Sequence, residues 1–166
     1  MSPQPCKERA DDMAIRKYWE EYQVGEVLES PSITITEAHL VTWAGLTMDF
    51  YPLHMDKEYA KTTVMKERVA HGPMIFGMSV GLMSLKHWME YDSIIAWLGS
   101  DIKIMKPVHI GDTIHVVSEV AEKRETSKPH QGIQKWLYKI INQNDEVVME
   151  NMMTFMMYRK PLKESE

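Results

Sequence analysis

The 166-residue chain has the length of one domain and is long enough to bury a core of its own. With 44% hydrophobic and 26% charged residues it is neither disordered nor low-complexity, and a single cysteine, Cys6, excludes a disulfide scaffold. A net charge of −5 argues against nucleic acid as partner. The uncharged stretch from His71 to Leu85 is shorter than the roughly 18 apolar residues a membrane span needs, so no membrane is expected either. The first twenty residues mix charges of both signs with no apolar run, so no secretory signal is expected and the cytoplasm is the expected compartment.

Residues 1–17 are polar, with Pro3 and Pro5, and read as a flexible arm whose far end is anchored by Tyr18, Trp19 and Tyr22. The domain proper is expected over 18–158. Glu26 to Thr34 reads as a strand closed by Pro31 and Ser32. Thr36 is the expected N-cap of a helix through Ala38, Leu40, Val41, Ala44 and Leu46. Residues 47–56 read as turns around Pro52, 57–63 as a short helix, and 64–72 as an irregular approach. From Pro73 to Tyr91 apolar residues recur at Met74, Met78, Leu82, Leu85 and Met89, which predicts a long buried helix. Pro73 suits its first turn, and Gly77 and Gly81 share a side where a backbone can come close.

The period then changes to two. Ile94 to Ile104, Thr113 to Ala121, Ile133 to Asn142 and Glu146 to Tyr158 predict four strands. Lys106-Pro107, Gly111-Asp112 and Asn144-Asp145 punctuate them. Residues 159–166 form a charged tail. The pattern is that of an α+β domain with an antiparallel sheet wrapped around a long central helix.

Chemistry concentrates in two short stretches. In Asp49-Phe50-Tyr51-Pro52-Leu53-His54 a carboxylate and an imidazole flank a proline that turns the chain, so both can face one volume and work as an acid–base pair. Apolar neighbours would raise the Asp49 pKa if it were buried. Spacing alone favours a plainer reading, an Asp that caps a turn and a His that meets a carbonyl. The second stretch, Val69-Ala70-His71-Gly72-Pro73, precedes the long helix, where the Gly72 N–H is placed to stabilise an oxyanion. It also reads as a glycine needed only for the turn. His39, His54, Asp56 and His71 lack any metal-ligand spacing pattern, so no metal is expected. No phosphate loop surrounds Gly72, Gly77 and Gly81, and Cys6 has no base near it in sequence.

Together these stretches resemble the MaoC-like dehydratase family, which includes the (R)-specific enoyl-CoA hydratases. The shared pattern is Asp49-x-x-Pro52-Leu53-His54, then Ala70-His71-Gly72. Tyr22-Gln23-Val24-Gly25-Glu26, Lys106-Pro107-Val108 and Gly111-Asp112-Thr113 extend the resemblance from about Tyr18 to Tyr158. It implies a single hot-dog fold, a homodimer or higher homo-oligomer, and sites near the subunit interface. It implies the reversible hydration of a 2-enoyl-CoA by Asp49 and His54, with the Gly72 N–H on the thioester oxygen and no cofactor. Tyr51, Pro52, His71 and Met74 are the expected substrate-pocket residues. Lys103 and Lys106 are expected to meet the coenzyme A moiety, among the basic candidates Lys61, Lys66 and Arg68.

One position departs from the family pattern: Tyr51 stands where the family has Asn. This implies a reshaped pocket, a branched or carboxylated acyl group, or a loss of activity. The alternatives are an acyl-CoA thioesterase and a catalytically inactive acyl-thioester-binding subunit. Fifteen methionines are an excess. Those at 74, 78, 83 and 89 and at 149, 152, 153, 156 and 157 are expected to line the seam between helix and sheet, in a core that also admits an acyl chain.

Overall fold

The computed structural model describes residues 17–85 and 93–160. The arm, all but Lys17, and the tail beyond Lys160 therefore lie outside the described residues, as do Cys6, Met89 and the last part of the expected long helix.

Six strands form one sheet: β1 (Val27–Glu29), β2 (Ile33–Thr34), β3 (Ile94–Ile104), β4 (Thr113–Glu125), β5 (Gln131–Asn142) and β6 (Val147–Tyr158). They lie in the order β1-β4-β5-β6-β3, with β2 also on β4, and every pairing is antiparallel. Side chains alternate between faces along a strand. Gln134, Trp136, Tyr138 and Ile140 of β5 are buried on the inner face, as are Met149, Asn151, Met153, Phe155 and Met157 of β6. Register stacks them into rows across the sheet, such as Ile140–Met149–Ile104 and Trp136–Met153–Ser100. Asn144-Asp145 makes the β5–β6 turn as expected. Asp145 is left-handed at φ 59°, and Asn142 Oδ1 accepts from the N–H groups of Asn144 and Glu146 at 3.0 and 3.1 Å.

The helix α4 (Gly72–Ser84) packs on this inner face and buries Met74, Ile75, Ser79, Leu82 and Met83. A sheet curled around one such helix is the hot-dog arrangement. The buried side is rotated from the expected stripe: Ile75, Ser79 and Met83 join it, while Leu85 is 68% exposed. Gly77 and Gly81 face outward, and among the described residues no backbone approaches them; a Cβ at Gly77 would touch Trp43 at 3.8 Å. The expected strand over Glu26–Thr34 is two short strands. Pro31 has no N–H for a ladder, so the chain leaves the sheet there and Ser30 bridges the gap, its Oγ accepting from Val116 N–H at 2.9 Å.

Tyr18, Trp19 and Tyr22 do anchor the start of the domain. Trp19 donates from Nε1 to Ile133 O at 3.0 Å and lies flat against Gly132, where a Cβ would fall 2.7 Å from three ring atoms. Lys123 and Arg159 stand over the ring, 4.3 and 4.9 Å from its centre. Arg159 also pairs with Glu20 and Glu125, and Lys160 with Glu21, while Tyr22 packs edge-on against Trp136 at 5.3 Å.

Candidate active site

The helix α1 (Glu37–Thr47) begins at Thr36, whose N–H donates to His39 Nδ1 at 3.0 Å. It ends at Met48, a left-handed residue (φ 63°) that bonds back to Ala44 O and turns the chain off the helix axis. Asp49 follows in the open. Its Oδ1 accepts from Tyr51 N–H at 3.3 Å, closing a local turn. Asp49 is solvent-accessible rather than buried, so its apolar neighbours in sequence do not enclose it.

Pro52 turns the chain as expected, but by opening a helix instead of forbidding one. It is the first residue of the single turn α2 (Pro52–Met55), where a missing N–H costs nothing. His54 rides on that turn. Asp56, weighed from the sequence as a metal ligand, caps α3 (Lys57–Thr62) by accepting from Glu58 and Tyr59 N–H at 2.9 and 3.0 Å.

The chain returns to the site through Val69, Ala70 and His71. Val69 bridges to His109, and Ala70 N–H donates to Val108 O at 2.7 Å. His54 donates from Nδ1 to Val69 O at 2.8 Å, which leaves Nε2 as its free nitrogen. His71 donates from Nε2 to the backbone carbonyl of Asp49 at 3.0 Å. The two rings stack with centres 3.9 Å apart at 29°. Nitrogens of both rings and a carboxylate oxygen of Asp49 lie within 4.8 Å of one another.

His71 is fully buried, and burial pushes its pKa below the usual histidine value. The bond to Asp49 O opposes that shift, and the neighbouring His54 adds to it. A neutral His71 therefore lies beneath His54. Stacked rings direct their in-plane lone pairs side by side, and one nitrogen of each is already committed to a carbonyl. That geometry serves proton transfer better than shared ligation of an ion.

Gly72 is the first residue of α4, so its N–H has no partner within the helix, and Pro73 adds no competing donor. His54, Gly72, Ile75, Ile104, Lys106 and Met149 line a cavity of 210 Å³. The possible base and the possible oxyanion donor thus share one space. Tyr51 stands beside His54, 51% exposed and edge-on to its ring at 5.9 Å, its hydroxyl 3.5 Å from that of Tyr59.

The structure brings Asp49, Tyr51, His54, His71 and Gly72 together and places Met74 elsewhere. Met74 lines a separate 250 Å³ cavity between α1 and α4 with Trp43, Leu46 and Met78. Of the basic candidates, Lys106 pairs with Glu146 at 2.5 Å, Lys61 with Glu58, and Arg68 with Glu37, while Lys103 is exposed on β3. Two participants escaped the sequence reading. Val69 acts through its backbone carbonyl, which no side-chain pattern can show. Tyr59 meets Tyr51 because α2 and α3 fold against each other, and the Tyr51 hydroxyl raises its pKa.

The profile of the MaoC-like domain matches residues 21–137, from the first turn to the middle of β5. The chain is 34% identical over 105 residues to the (R)-specific enoyl-CoA hydratase of Rhodospirillum rubrum, covering 63% of this chain and 69% of that protein. It is 38% identical over 117 residues to protein MaoC of Klebsiella aerogenes, covering 70% of this chain but a third (33%) of that larger protein. Among solved structures, the monoamine oxidase regulatory protein of Archaeoglobus fulgius superimposes with a TM-score of 0.83 at 32% identity, covering 87% of this chain and 96% of that one. Among the described residues no helix is long and apolar enough to cross a membrane.

Proposed function

This chain belongs to the MaoC-like domain family, and from that premise we propose that it is a hydro-lyase adding water reversibly across the double bond of a 2-enoyl-CoA. The observation that carries this is that His54 shares one cavity with Gly72 and stands with the Asp49 carboxylate and His71, their polar atoms within 4.8 Å of one another. A water held between the Asp49 carboxylate and His54 Nε2 gives its proton to the pair as its oxygen attacks C3. The thioester oxygen, bonded to Gly72 N–H at the positive end of α4, carries the charge of the enolate-like intermediate. The proton returns to C2, and the product is the 3-hydroxyacyl thioester. His54 is suited to be the base because its Nδ1–H is fixed on Val69 O, which makes Nε2 the lone-pair nitrogen of the neutral ring.

Tyr51, with Tyr59 behind it, lies beside His54, and Lys106 lines the cavity. These features support an acyl group that is branched or carries a carboxylate. A panel of straight, branched and dicarboxylic 2-enoyl-CoAs, read by loss of enoyl absorbance and product analysis, tests this. Thiol release without enoyl turnover would instead mark a thioesterase. Saturable binding with no turnover on any member would mark an inactive binding subunit.

The working form in this reading is a homodimer. β3 is the edge of the sheet and eleven residues long, with Trp97, Leu98, Ile102 and Ile104 exposed at 54, 50, 40 and 64%. An apolar edge of that length calls for a pairing strand, and a second copy supplies it while covering the outward Gly77 and Gly81. Lys103 on that edge and Lys106 beside it would then meet the phosphates of coenzyme A. Light scattering at the mass of two chains is the expected result.

A further inference from the structure

Asp49 and His54 come from different elements, a solvent-exposed turn and a single helical turn, and no hydrogen bond between them is formed. Something else must fix their mutual position. Both are tied to one short segment, residues 69–71. His54 reaches Val69 O at 2.8 Å, and the Asp49 carbonyl receives the His71 Nε2–H at 3.0 Å. That segment is itself held, by Ala70 N–H on Val108 O, by the Val69–His109 bridge, and by Ile75 N–H on His71 O at 3.1 Å.

From this geometry, and resting on the hydratase reading, we infer that His71 is the positioning residue of the acid–base pair. Its ring holds the Asp49 backbone from below and forms the floor under the His54 ring. Packing alone would not select a histidine there. His71 is fully buried and its Nδ1 has no hydrogen-bond partner, a cost that a leucine or phenylalanine would avoid. What the histidine adds is one donor at the height of Asp49 O and a flat, uncharged face against His54. Both contacts need the Nε2–H tautomer. A protonated His71 would put a second positive charge beside His54 whenever that ring takes up its proton. The other ionisable groups around the pair are the Asp49 carboxylate, Tyr51 with Tyr59 behind it, and Lys106 across the cavity.

Two substitutions separate the two contacts. His71→Phe keeps a flat ring and loses the donor, whereas His71→Gln keeps a donor at the same reach and loses the ring. With the 2-enoyl-CoA that the wild type turns over best, His71→Phe is expected to lower kcat about 10²-fold, the scale of an ångström-sized misplacement, with KM within about twofold. His71→Gln is expected to recover most of that loss. Equal kcat for the two variants, or His71→Phe within about twofold of wild type, would overturn the assignment.

An arm independent of turnover uses wild-type protein labelled at the histidine ring nitrogens. His71 is expected to carry its proton on Nε2 in the neutral ring and to titrate below the usual histidine value, and the His54 Nδ1 to carry the proton it donates to Val69 O. A neutral His71 that carries its proton on Nδ1, or one that titrates at or above the usual histidine value, sinks the inference even if His71→Phe fails to fold. If no 2-enoyl-CoA is turned over while the ring signals behave as described, the hydratase reading fails and the positioning geometry stands.

Discussion

The two ends of β5 and β6 are built on opposite terms. At the Trp19 end the charged groups and the indole are paired: the indole N–H has its carbonyl, Lys123 and Arg159 stack on the ring, and Glu20, Glu21 and Glu125 pair with Arg159 and Lys160, with the buried Gln134 amide as the exception. At the other end the groups are left open. His54 keeps Nε2 free, His71 Nδ1 has no partner, the Gly72 N–H has none in its helix, and Asp49, Phe50 and Tyr51 face solvent. Unsatisfied groups cost stability, and a domain of this size tolerates only a few of them. The difference suggests that one end holds the fold while the other is kept reactive.

The largest expected effect lies at the open end. Asp49→Asn should remove about 10³-fold of kcat on the preferred enoyl-CoA and leave Tm unchanged, since the carboxylate is exposed and its turn can be kept by the amide. A comparable fall in Tm would mean that Asp49 belongs to the fold instead.

The next pair sets the two ends directly against each other. A Cβ at Gly132 and a Cβ at Gly72 would both fall 2.7 Å from a neighbour. At Gly132 the neighbour is the face of the Trp19 ring, which is bonded to Ile133 and stacked by two cations and cannot move aside. Gly132→Ala should therefore cost about 1–3 kcal/mol in denaturant unfolding, with kcat per folded molecule intact. At Gly72 the neighbour is the tip of the Ile104 side chain, which can rotate away. Gly72→Ala should barely change unfolding, but its methyl intrudes where the thioester is to sit, so kcat/KM should fall about tenfold or more. If the two glycines exchange these outcomes, the division between the ends is wrong.

A smaller effect concerns pH. The pKa of His71 is lower in the folded chain than in the unfolded one, so the unfolded state binds the proton more readily. Stability from this residue is then present above the unfolded value of about 6.5 and is lost as pH falls through that value towards the folded one. Unfolding midpoints measured across this range should drop on the acid side for the wild type, and less so for His71→Gln. The smallest effect is at the closed end: Arg159→Met should lower Tm slightly at low salt, with the difference shrinking as ionic strength rises.

Much of this was written in the sequence where local chemistry and tertiary contacts agree. Alternation set β3, β5 and β6 to within two residues, Asn144-Asp145 marked the hairpin, and Thr36 marked the start of α1. Local signals failed where the sheet overrode them, as in β4, which pairing with β5 carries on to Glu125, beyond the expected Ala121. Pro31 cut one expected strand in two for a reason visible in its missing N–H but weighed as a terminator only. At the site, residue types announced Asp49, His54 and Gly72. The means of holding them could not be read, because a carbonyl such as Val69 O carries no residue identity. His71 was legible as a neighbour of Gly72, but its bond to Asp49 spans 22 positions.

The pairing of Ala70 with Val108, and of Val69 with His109, makes the connection between β3 and β4 a ruler laid against the site. A connection between two strands is ordinarily the place where a chain can gain or lose residues at little cost. Here its length is read out at the site, because shifting Val108 by one residue would move the carbonyl that holds His54 and the ring that holds Asp49 together. Insertions within Met105–Asp112 should be rare among active relatives of this chain, and variation in length should gather instead in the turn of residues 126–130, beside the closed end.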